Sequence, residues 1–147
     1  MPEKKTIARA RKAKREGKAP TTQAGEFVRE EIEHIREGKH GAKNAKQAIA
    51  IGLSKARRAG VKLPAPKKGT TSERTRKQAK RTTAKAKASP TTRRKSAKRS
   101  RATTEALKRA PRSAASTRAL SRQARQAAPR RRKRTARSRT KRAAASE

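Results

Sequence analysis

The sequence predicts a mostly disordered chain with one small all-α element, an antiparallel helical hairpin flanked by a basic N-terminal arm and a long Lys/Arg/Ala/Ser/Thr tail. Three observations predict it. The 147 residues include 47 Lys or Arg against 10 Asp or Glu, a formal charge of +37. Only 13 residues are Val, Ile, Leu, Met or Phe, and ten of these lie between Ile7 and Leu63. Low hydrophobicity with high net charge leaves too little apolar burial to offset an ordering cost of roughly 1 to 2 kcal/mol per residue. Finally, the charge is unevenly divided. Residues 1–66 hold 17 basic and 7 acidic side chains, whereas residues 67–147 hold 30 and 3. The break falls at Leu63-Pro64-Ala65-Pro66, where two prolines remove amide donors and bias their predecessors away from helix.

Residues 1–21 form the arm. From Lys4 to Lys18 its cations are interrupted by Thr6, Ile7, a few alanines, Glu16 and Gly17. With nothing apolar read as recurring at helical spacing, any helix over Ile7 to Arg15 is expected to need phosphates to offset its own repulsion.

Residues 22–63 are the expected folded unit. Ala24, Phe27, Val28, Ile32 and Ile35 make a helical stripe over about 22–37, with Thr22 as its cap and Gly38 as its stop. Glu26, Glu30, Glu31, Glu33 and Glu37 occupy the remaining face, placed to hold the chain's own basic arms or to keep nucleic acid off. A second helix over about 44–59 carries Ala45, Ala48, Ile49, Gly52, Leu53 and Ala56 on one face, between Asn44 as cap and Gly60 as stop. Gly52 costs about 1 kcal/mol of helix propensity relative to Ala, which implies close approach of another backbone. The expected core is Phe27, Ile32, Ile35, Ile49, Leu53, Val61 and Leu63. A unit of this size is marginal alone, so self-association or order gained on binding is expected, with Ile51, off the stripe, as a partner contact.

Residues 64–147 read as a disordered basic tail, divided by Pro90, Pro111 and Pro129, in which Thr104 to Ala110 and Ser116 to Ala127 become helical only once neutralised. A surplus of 27 charges matches roughly 46 Å of duplex, about 14 base pairs. Fully extended, the 81 residues from 67 onward span up to about 270 Å. Neutralisation with that reach is a recipe for bridging and compaction.

The inventory removes other chemistries. Cys, Trp, Tyr and Asp are absent and there are two histidines, so disulfides, thiolate sites and a Ser-His-Asp triad are excluded. Glu30 and His34, at i and i+4, offer two metal ligands from one helix face. Without further ligands in view they read as a solvent-facing pair, and no metal, cofactor or catalytic residue is expected. No apolar run approaches the ~20 residues of a membrane span, and the N-terminus shows no apolar signal region, so no membrane partner is expected. The 25 Ser and Thr residues read mostly as spacers, Ser89-Pro90 being the first place to look for modification.

What remains is a polyanion partner: DNA first, RNA as the alternative, with a possible homo-oligomer formed through the hairpin. The candidate phosphate-binding residues are Lys12, Lys14, Arg15 and Lys18 in the arm, and Arg57 and Arg58 at the end of the second helix. In the tail they are Arg93, Arg94, Lys95, Lys98, Arg99, Arg130, Arg131, Arg132, Lys133, Arg134, Arg137, Arg139, Lys141 and Arg142. Phosphate contacts position without specifying, so binding is expected to be largely independent of sequence.

The stretch Glu26 to His40 and the run Gln47-Ala-Ile-Ala-Ile-Gly-Leu-Ser-Lys-Ala-Arg57 resemble small basic bacterial proteins labelled uncharacterised, DNA-binding or plasmid-stabilisation proteins. The tail is similar in composition to the C-terminal domains of linker histones and bacterial histone-like proteins. The family resemblance implies a bacterial source and a nucleic-acid-related role without catalytic residues; a histone-like role rests on the tail, and a cytoplasmic, nucleoid-associated location is expected from the lack of a signal region. The function expected is non-enzymatic DNA binding and compaction. The alternatives are an RNA- or ribosome-associated protein, or a protein-interaction module tethered to nucleic acid.

Overall fold

Alanine, more than the large apolar residues, builds the interior. Of the fourteen apolar residues buried in the described parts of the chain, ten are alanines, and only Phe27, Ile35, Val61 and Leu63 are larger. The computed structural model describes residues 2–87 and 97–128. Among these the helices are α1 (Lys4–Arg15), α2 (Pro20–Arg36), α3 (Ala45–Arg58), α4 (Glu73–Lys87) and α5 (Ala97–Arg109). A 3-10 turn, Arg112–Ala115, and a last helix, α6 (117–128), follow. No strand occurs among the described residues, and no described helix is long and apolar enough to cross a membrane.

The expectation of a mostly disordered chain is therefore corrected: the molecule is all-α and largely helical across the described residues. The physical reason lies in α1. Thr6, Ala10 and Ala13, spaced four and three apart, are buried on one face, so small side chains supply the stripe that large ones do not. Ala and Arg are also strong helix formers, and their propensity is not cancelled by repulsion. α1 packs on α2, where Ala10 joins Ala24, Phe27, Ala56, Val61 and Leu63 in one cluster.

The expected hairpin is present as α2 and α3. Asn44 caps α3 by accepting a hydrogen bond from the Gln47 amide at 2.9 Å. The cap of α2 differs from expectation: its N-cap is Ala19, with Pro20 in the first turn, where a missing N–H costs nothing. Gly38 and Gly60 end the two helices with φ of +78° and +89°. Ala24 and Ala56 share one cluster and Ile35 and Ala48 another, which sets the helices antiparallel. Ile49, Leu53 and Ile51 are only half-buried.

Gly52 confirms the expected close approach. A Cβ built there would lie 2.6 Å from the Val28 Cα and 3.0 Å from the Phe27 carbonyl oxygen. Gly52→Ala should cost about 1–3 kcal/mol, since backbone must move to admit the methyl. Chemical denaturation followed by circular dichroism checks this; unchanged stability would refute the packing.

The second cluster, Ile35, Ala42 and Ala48, is closed by Ala114 and Ala115 from the 3-10 turn. Gly41 donates its amide to the Leu107 carbonyl at 2.8 Å, and Ala42 donates to that of Pro111 at 3.2 Å. A Cβ at Gly41 would collide with the Ala110 carbonyl group. The Arg36 Nε donates to the Ala115 carbonyl at 3.0 Å. A segment read as tail thus covers part of the hairpin, and α4 packs on α3 with Ala79 buried.

Candidate nucleic-acid interface

Eight of the nine glutamates in the described residues stand in ion pairs within the chain. Glu26 reaches Arg9 of α1 at 3.9 Å, and Glu30 accepts the Glu3 amide at 3.1 Å, so carboxylates of α2 do hold the basic arm. The expected solvent-facing placement of Glu30 fails, because Glu30 is 3% exposed and Glu31 fully buried. Lys55 of α3 answers both, with its Nζ 2.7 Å from Glu31 Oε2 and 3.2 Å from Glu30 Oε1. Burial pulls the Glu30 carboxyl upward, but hydrogen bonds from Thr6, the Glu3 amide and Lys55 outweigh it and hold the group below its ordinary value.

With eight acids paired within the chain, the unpaired charge at the surface of the described residues is mainly cationic. Lys12, Lys14, Arg15, Arg58 and Lys98 are exposed and form no ion pair among the described residues. Lys18 is exposed but pairs with Glu16 at 2.7 Å. Arg93, Arg94, Lys95, Arg130, Arg131, Arg132, Lys133, Arg134, Arg137, Arg139, Lys141, Arg142 and the Arg99 side chain lie outside the described residues, as does Ser89-Pro90.

Arg57 stands apart from the other candidates. It is 8% exposed, and its Nε is buried without a hydrogen-bond partner among the described residues. Burial pushes its guanidinium down from its ordinary value. It lines an open groove of about 800 Å³ between α3 and α4 together with Lys46, Arg74, Thr70, Thr71 and Thr75. A guanidinium in a groove that also carries cations and hydroxyls is suited to an oxyanion such as a backbone phosphate, which it can grip through parallel N–H donors. Lys46 and Arg74 were not among the sequence candidates. No local pattern marks them, since they share a groove with Arg57 only through the packing of α4 on α3.

Residues 4–69, a span that includes α1, α2 and α3, match a family described as a family of unknown function, DUF6496. No curated protein and no solved structure is matched. The family description assigns no activity, ligand or partner, so function is argued from charge and geometry.

Proposed function

We propose that the chain is a non-enzymatic, largely sequence-independent DNA-binding protein that compacts DNA by neutralising and bridging phosphates, in the manner of a nucleoid-associated protein. One observation carries this reading: a net +37 on a chain whose described glutamates are almost all paired internally, leaving cations on the outside of successive helices. In this reading Arg57 offers its unpartnered donor to a phosphate in the α3–α4 groove, Lys46 and Arg74 add positive charge elsewhere along that groove, and the exposed cations of α1 and the basic C-terminal region add contacts along or between duplexes. Phe27, the sole aromatic side chain other than histidine, is 1% exposed. It offers no stacking platform for unpaired bases, which favours duplex over single-stranded partners.

Binding of the full chain to unrelated duplexes over a range of salt tests the proposal. With six to ten phosphates contacted, affinity should fall by about 10³–10⁵-fold between 50 and 200 mM salt and differ little between sequences. Absence of binding at physiological salt, or a strong preference for RNA at matched phosphate concentration, would overturn it.

A further inference from the structure

We propose that Glu31, His34 and His40 form a site for one divalent transition-metal ion of the zinc class. One ligand atom from each residue lies within 4.8 Å of the others. Glu31 is fully buried, and neither of its carboxylate oxygens has a hydrogen-bond partner of good geometry. Lys55 stands at Oε2 and leaves Oε1 facing His40 Nε2 at 3.2 Å. Two ligands each about 2.0–2.1 Å from a tetrahedral ion stand roughly 3.3 Å apart, so this spacing admits a metal with little movement.

The surroundings of the two imidazoles point the same way. His40 Nδ1 lies 3.2 Å from the Gly41 carbonyl oxygen, which can only accept, so Nδ1 carries the proton. With Nδ1 turned to that carbonyl, Nε2 is the ring nitrogen that faces Glu31 Oε1 and is placed to ligate. His34 is bonded through Nε2 to Glu3 Oε1 at 2.8 Å, the kind of carboxylate contact that orients a metal-ligating imidazole. The rings meet edge to face, 84° apart. One carboxylate with two imidazoles suits zinc-class ions better than magnesium or calcium, which prefer oxygen alone. Glu31 and His34 share a face of α2, and His40 comes from the connection to α3. An ion there would tie that connection to α2, a structural role independent of DNA binding.

The full-length chain titrated with Zn²⁺ against a chromophoric chelator tests the site. The expected result is one saturable equivalent, weakened about 100-fold or more by His34→Gln and by His40→Gln, with Zn²⁺ raising the melting temperature of the unaltered chain only. Because these are the only two histidines, the unaltered chain gives a second readout that no folding defect can confuse: both sets of ring resonances should shift on addition of Zn²⁺. Absence of saturable binding, ring resonances that stay in place, or folded variants that bind as tightly as the parent would overturn the proposal.

Discussion

Lys55→Met is expected to destabilise the folded unit by about 3–5 kcal/mol at pH 7, the cost of leaving buried carboxylates without their cation. Glu31 is fully buried and Glu30 nearly so, and among the described residues Lys55 is the one ammonium within 3.2 Å of both. In a small domain, a loss of that size populates unfolded chains appreciably. The effect should depend on pH with a definite sign. Glu30 is held below its ordinary value of 4.5 in the folded state, so its stabilising contribution is complete above that pH and fades as pH falls through the folded value. In the variant, burial of Glu30 is opposed only by Thr6 and the Glu3 amide, and its carboxyl moves upward. The destabilisation should therefore be full at neutral pH and shrink below about 4.5. Denaturant melts from pH 7 to pH 3.5 measure it. A Lys55→Met chain as stable as the parent at pH 7 would mean that the two carboxylates do not depend on Lys55.

Two truncations should separate stability from binding. Ending the chain after residue 128 removes nine candidate cations, Arg130 to Arg142, while retaining the 3-10 turn and α6. The slope of log affinity against log salt should become shallower by about 8 if all nine contact phosphates. Ending after residue 96 also removes Ala114, Ala115 and the Leu107 and Pro111 carbonyls that satisfy Gly41 and Ala42. Partial re-exposure of Ile35, which keeps Ala42 and Ala48, forfeits up to about 1.5–3 kcal/mol, so this shorter chain should be measurably less stable by thermal melts. Equal stability of the two truncations would show that the 107–115 segment does not support the hairpin.

That segment marks where reading the sequence reached its limit. The pair α2 and α3 was legible because large apolar residues at helical spacing, Asn44, Gly52 and the two terminating glycines each carry a local signal. α1, α5 and α6 were read as helical only once their charge is neutralised and α4 was not read at all, because counting only large apolar residues overlooks alanine methyls that bury little area each. The docking of Ala114 and Ala115 against Ile35 joins positions some eighty residues apart, which no local pattern encodes. At the candidate interface, the exposure of Lys12, Lys14, Arg15 and Arg58 followed from composition. The burial of Arg57 did not, since it depends on how α4 lies across α3. The i, i+3 spacing of Glu31 and His34 was visible in the sequence. Pairing His34 with Glu30 instead overlooked it, and His40 joins them only through the turn at Gly38.

An interior made chiefly of single methyl groups has a thermal consequence. The heat capacity of unfolding scales with the nonpolar area newly hydrated, and alanine contributes little of it per residue. The free-energy curve of this domain should be shallow and broad, with modest stability that varies little from cold to warm.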